Sequence, residues 1–97
     1  GDAYYADNKG VIQTGMLKIK GDTYYFNDDG VRQSGWVDHQ SNRYFFNHNN
    51  GAMQVGWIYD SGNTYYTDNK GVMQTGWVKI KGKMYHFDSD GVLIGTA

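Results

Sequence analysis

Three tryptophans, Trp36, Trp57 and Trp77, each stand directly after a glycine, and an aromatic pair led by tyrosine recurs along the chain. These residue types suit two kinds of ligand. A flat aromatic face stacks on the CH face of a sugar ring, and a group of such faces attracts a quaternary ammonium through cation–π forces. Either ligand would use the same side chains. The plainer role for each ring is packing, since an aromatic cross-strand pair contributes roughly 0.2 to 1 kcal/mol without any ligand.

The elements that position these rings follow from an internal repeat, the first pattern to seek in such a chain. Tyr4-Tyr5, Tyr24-Tyr25, Tyr44-Phe45, Tyr65-Tyr66 and Tyr85-His86 are spaced 20, 20, 21 and 20 residues apart. Each pair is followed by a loop glycine (Gly10, Gly30, Gly51, Gly71, Gly91), and the first four loops lead to Gly15, Gly35, Gly56 and Gly76. The extra residue of the 21-residue interval falls in "NHNNG", a loop, where insertion costs least. The units run 1–14 (partial), 15–34, 35–55, 56–75 and 76–97, as expected for a piece of a larger protein. The last ends in "GVLIGTA", with Gly95 one position early, as a cap or a truncated repeat would.

Within a unit, two runs of about five residues flank a turn such as Lys81-Gly82 or Ser61-Gly62, the pattern of a β-hairpin with a two-residue loop. That turn sets the register: Ile80 faces Lys83, Lys79 faces Met84, Val78 faces Tyr85 and Trp77 faces His86. Side chains alternate between faces. Val78, Ile80, Tyr85 and Phe87 then form one face, repeated as Leu17, Ile19, Tyr24, Phe26 and as Val37, Tyr44, Phe46, and this is the expected core. The other face carries Trp57, Tyr59, Thr64 and Tyr66, or Trp36, Asp38, Arg43 and Phe45, with Asp38 and Arg43 opposed as an ion pair. A lone hairpin is marginal in water, so the units must stack. The expected fold is all-β, a solenoid of stacked hairpins.

Composition agrees. The chain has 97 residues, 9 Tyr, 4 Phe and 3 Trp, no Cys and no Pro, and 10 acidic residues that are all Asp. Aromatic enrichment favours strands. Nine basic residues balance the acids without clustering, which argues against a nucleic-acid footprint. No apolar run is long enough to span a membrane, so no membrane insertion is expected. The loops "DNKG", "NDDG" and "DSDG" raise a calcium reading, yet an EF-hand loop ends in a bidentate Glu and this chain has none. Asn and Asp capping a turn, with Gly at positive φ, explains these loops without a metal. No cofactor is expected. His39, His48 and His86 occupy unrelated places in their repeats and no paired-carboxylate or Ser-His-Asp set stands out, so no enzyme is expected.

The phrases "GWVKIKGKMYHFDSDGV", "GMLKIKGDTYYFNDDGVRQSGW" and "GNTYYTDNKGVMQTGW" resemble the cell-wall-binding repeat superfamily. It includes choline-binding modules of pneumococcal surface proteins and phage lysins, glucan-binding repeats of streptococcal glucansucrases, and repeats of clostridial toxins. The resemblance implies a hairpin solenoid on a secreted or cell-surface Gram-positive bacterial protein, with ligands held between hairpins by aromatic residues. Choline-binding units typically carry Trp before the Tyr pair, where this chain has Ala3, Thr23, Arg43, Thr64 and Met84. Polysaccharide is thereby the first expectation, choline on teichoic acids the second, and a spacer or receptor-binding stalk the third.

The 56–75 unit is the best-equipped site, because Trp57, Tyr59 and Tyr66 share a face and Met53 and Met73 hold the post-loop positions nearby. Tyr25 before Trp36 forms a second candidate. Trp77 opposes His86 in a third. Met16 replaces the tryptophan in the 15–34 unit, which predicts a weaker or absent site there.

Overall fold

The computed structural model describes residues 2–97; Gly1, which opens the expected partial repeat, lies outside the described residues. Nine strands lie among the described residues: β1 Gly15–Ile19, β2 Asp22–Phe26, β3 Gly35–His39, β4 Asn42–Phe46, β5 Gly56–Asp60, β6 Asn63–Thr67, β7 Gly76–Ile80, β8 Lys83–Phe87 and β9 Leu93–Thr96. Three two-stranded hairpins, β1–β2, β3–β4 and β5–β6, precede a three-stranded sheet β7–β8–β9. The molecule is elongated, 52 × 23 × 23 Å.

Local chemistry accounts for each hairpin. The turns Lys20-Gly21, Gln40-Ser41, Ser61-Gly62 and Lys81-Gly82 all have positive φ at both central residues, the type I′ geometry whose twist suits a two-residue hairpin. The register is the expected one, with Trp77 opposite His86, Val78 opposite Tyr85 and Ile80 opposite Lys83. The same offset pairs Trp57 with Tyr66 and Trp36 with Phe45.

Each hairpin is followed by a loop closed by its own Asn or Asp. The Asp68 carboxylate accepts the N–H groups of Lys70 and Val72, and Asp7, Asn27 and Asp88 do the same in their loops. These oxygens serve the turn. In the last unit Leu93–Thr96 adds to β8 as a third strand, with a bulge at His86/Phe87.

Backbone rungs join successive hairpins. The N–H of Met53, just past the loop after β4, donates to the carbonyl of Thr23 in β2 at 2.7 Å; Met73 donates to Arg43 at 2.8 Å, and Arg32 to Ala3 at 2.8 Å. Side chains reinforce the rungs. Met53 lies directly beneath Gly71, leaving no room for a Cβ there, and Met73 lies so beneath Gly91, where a Cβ would stand 2.5 Å from its Sδ. The loop glycines therefore serve twice, for positive φ and for close approach.

The buried core consists of Phe26, Phe45, Phe46, Ile58, Thr67, Ile80 and Phe87. Most belong to the expected inner face, but Leu17, Ile19, Tyr24, Val37, Tyr44, Val78 and Tyr85 of that face are only half-buried. Phe45, placed by alternation on the outer face, is 3 % exposed. Both faces of a hairpin thus carry buried side chains, so alternation within one hairpin does not separate core from surface.

Candidate functional site

The aromatic residues assemble between hairpins. Trp57 of β5 meets its cross-strand partner Tyr66 at 5.0 Å between ring centroids, and Tyr85 of the next hairpin at 4.9 Å, both edge to face. Phe87 closes the base, 6.1 Å from Trp57 and 6.5 Å from Tyr66, and is 1 % exposed. Trp57, Tyr66 and Tyr85 are half-buried, so the three rings form a partly exposed aromatic cluster over a buried floor.

One repeat earlier the construction recurs. Trp36 meets Phe45 at 4.8 Å and Tyr65 of the following hairpin at 4.8 Å. Thr67 stands where Phe87 stands in the later cleft; it is fully buried, and its hydroxyl donates to the Gln54 carbonyl at 3.0 Å. The indole N–H of Trp36 is buried and finds no acceptor among the described residues. His48 packs edge-on against Phe45 at 5.3 Å.

In the first hairpin Met16 opposes Tyr25, as expected from the missing tryptophan. The Tyr25 ring meets His39 at 5.5 Å and Phe46 at 6.2 Å, both in the next hairpin. At the other end Trp77 stacks flat on His86, 4.4 Å apart with an interplanar angle of 12°, and remains 53 % exposed.

Of the residues singled out by sequence, Trp57 and Tyr66 come together. Tyr59 lies two positions along the same strand, 76 % exposed, and makes no ring contact with that pair among the described residues. Met53 and Met73 sit under the loop glycines of the following repeats. They also line two polar grooves built from repeat-equivalent positions. One, of about 680 Å³, runs past Lys18, Thr23, Met53, Val55 and Lys70. The other, of about 510 Å³, runs past Asp38, Arg43, Met73, Thr75 and Asp90. Arg43 donates to Asp38 at 2.7 Å, and this hydrogen bond holds the Asp38 carboxyl below its ordinary range.

Tyr65 and Tyr85 are the walls that sequence reasoning missed. Alternation assigned Tyr85 to the inner face of its own hairpin, yet its ring packs on Trp57 of the hairpin before it. The signal was available only as a relation between units: each Gly-Trp is answered by the first tyrosine of the following pair, as Trp36 is by Tyr65 and Trp57 by Tyr85.

Comparison with known proteins bears on this geometry. Residues 13–55 match the choline-binding repeat, and residues 55–73 and 75–93 match the cell wall binding repeat. The chain is similar in structure to CbpJ from Streptococcus pneumoniae, with TM-score 0.90 and 30% identity over 94% of this chain and 32% of that one. It is also similar to the choline binding domain of Spr1274 from Streptococcus pneumoniae, with TM-score 0.74 and 30% identity over 86% of this chain and 96% of the other. A third similarity is to an alternansucrase in complex with isomaltononaose, with TM-score 0.57 and 31% identity over 96% of this chain and 9% of the enzyme. The chain thus spans about a third of the length of CbpJ. No curated protein matches the sequence.

Proposed function

Since the chain belongs to the family of choline-binding and cell wall binding repeats, we propose that it is a non-catalytic module attaching a secreted or cell-surface bacterial protein to cell-wall or extracellular polysaccharide. The observation that carries this reading is the cluster of Trp57, Tyr66 and Tyr85, three half-buried rings supplied by two successive hairpins. Such rings stack on the CH faces of a sugar and release water from both surfaces. The histidines support a non-catalytic role: His39 packs on Tyr25, His48 pairs with Asp60, and His86 stacks on Trp77. We read the hairpin array as a solenoid with units at 15–34, 35–55, 56–75 and 76–97. The backbone rungs from Met53 to Thr23 and from Met73 to Arg43 support that reading.

A second ligand is favoured by the same walls. Two rings of one hairpin and one of the next form a partial cage, which attracts a quaternary ammonium such as choline carried on a wall polymer. The alternansucrase similarity speaks for sugar and the Spr1274 similarity for choline. Several modest sites along one polymer would reinforce one another through effective concentration.

The test is a titration followed by tryptophan fluorescence, with an isomalto-oligosaccharide, purified wall polymer and choline chloride as separate probes. A saturable change with the oligosaccharide or the polymer but not free choline supports polysaccharide recognition. A response to choline chloride alone supports the second ligand. If no probe gives a saturable change, the aromatic rings serve hairpin packing and the module is a spacer.

A further inference from the structure

Two departures from the repeat meet in space. The loop after β4 carries the one extra residue of the chain and places His48 there, while β5 ends in Asp60, at a position held by Ile19, His39 and Ile80 in the other hairpins. His48 Nε2 lies 3.0 Å from Asp60 Oδ1. A carboxylate only accepts, so Nε2 carries the proton and donates. This contact ties the loop of the second hairpin to the first strand of the third, across the mouth between them.

The surrounding geometry is shaped to hold the imidazole. Its ring abuts Phe45 at 5.3 Å with an interplanar angle of 85°, and it lies close over Gly35, where a Cβ would stand 3.2 Å from His48 Cε1. The loop backbone is rewired to present it: the Asn47 side chain accepts the N–H groups of Asn49 and Asn50, and Asn50 accepts that of Ala52. Other loops instead return the N–H of the residue four positions on to their first Asn or Asp.

We propose that His48 is a specificity-determining residue that closes the Trp36–Phe45–Tyr65 cleft, leaving the Trp57–Tyr66–Tyr85 cleft as the open one. The two aromatic clusters share a plan, with Trp36 and Tyr65 half-buried as Trp57 and Tyr85 are, and they differ at the wall facing His48. Under His48, Phe45 is 3 % exposed, whereas the equivalent Tyr66 is half-buried. The Trp36 indole N–H is sealed from solvent with no acceptor among the described residues. The Asp60 contact holds the His48 side chain, itself 60 % exposed, against Phe45, the ring that Trp36 packs on. The inference rests on the reading above for what enters a cleft, but not for whether the cleft is closed.

The variants are His48→Ala, which removes the cover, and Asp60→Asn, which loosens it without altering the loop sequence. Water exchange at each tryptophan indole N–H is followed by NMR on the folded variants, the Trp36 signal being assigned with Trp36→Phe. Trp36 exchange is expected to rise several-fold in His48→Ala and less in Asp60→Asn, with Trp57 unchanged. Unchanged Trp36 exchange in both folded variants overturns the proposal. Choline chloride and an isomalto-oligosaccharide are then titrated separately. In the native protein an effective probe should shift Trp57 and not Trp36, and in His48→Ala it should shift both. Equal native responses at Trp36 and Trp57 overturn the proposal. If neither probe moves any tryptophan, the ligand reading fails by itself, and the exchange rates still decide whether His48 is the cover.

Discussion

Trp57 and Tyr85 belong to different hairpins, yet their rings meet edge to face at 4.9 Å. The proposed site is therefore a property of two hairpins and of the backbone rungs that join them. The following outcomes test that view.

Replacing Trp57 with Ala should leave a folded protein that has lost the binding response. The ring is half-buried, so the expected cost is about 1–2 kcal/mol, less than the 3–5 of a fully buried aromatic truncation. Trp36→Ala should cost more, because its partner Phe45 is 3 % exposed and loses packing on a sealed side. Urea unfolding of both variants, set beside the ligand titration, separates a site from a spacer: equal loss of stability with no separable loss of binding would favour the spacer.

Gly71→Ala should destabilise by about 2–4 kcal/mol, combining left-handed strain with overpacking against Met53. Gly62→Ala is the control, since its φ is +83° but an added Cβ meets nothing within 4 Å, leaving only the strain. The double variant Gly71→Ala/Met53→Ala should lose less stability than the two single changes together, by about 1 kcal/mol. Additive losses in urea unfolding would show that Met53 does not support that loop.

Ser41→Gly should stabilise the protein by roughly 0.5–1 kcal/mol. Ser41 has φ 70° at the second central position of a type I′ turn, where the other three hairpins place Gly21, Gly62 and Gly82. A higher urea midpoint with unchanged slope is the expected readout. A lower midpoint would mean that the serine supplies something the turn geometry does not reveal.

The hydrogen bond from Arg43 holds the Asp38 carboxyl below the ordinary value of about 3.9, against a smaller opposing effect of desolvation. A carboxyl lowered on folding contributes stability above its unfolded pKa, and that contribution fades as the pH falls through the folded value. The pair is exposed, 42 % for Arg43 and 72 % for Asp38, so salt screens it and the effect on stability is small. Carboxyl NMR should show the Asp38 midpoint rising in Arg43→Gln. An unchanged midpoint would show that the two side chains do not engage in solution.

The repeat, the hairpins and their register are determined by sequence alone. A two-residue turn locks the offset between its flanking strands, and alternation then assigns each side chain to a face, which is why Trp77 stands opposite His86 and Arg43 opposite Asp38 as expected. Both effects act over a few neighbouring residues, so composition and spacing carry them.

What covers each face was decided by tertiary structure. The approach of one hairpin to the next brings Tyr85 to Trp57, slides Met53 under Gly71 and carries His48 to Asp60. None of these pairs shares a turn or a strand pairing, so periodicity does not reveal them. They follow from the displacement between stacked units, set by the rung from Met53 to Thr23 and its repeats, and that displacement emerges only when the whole array packs.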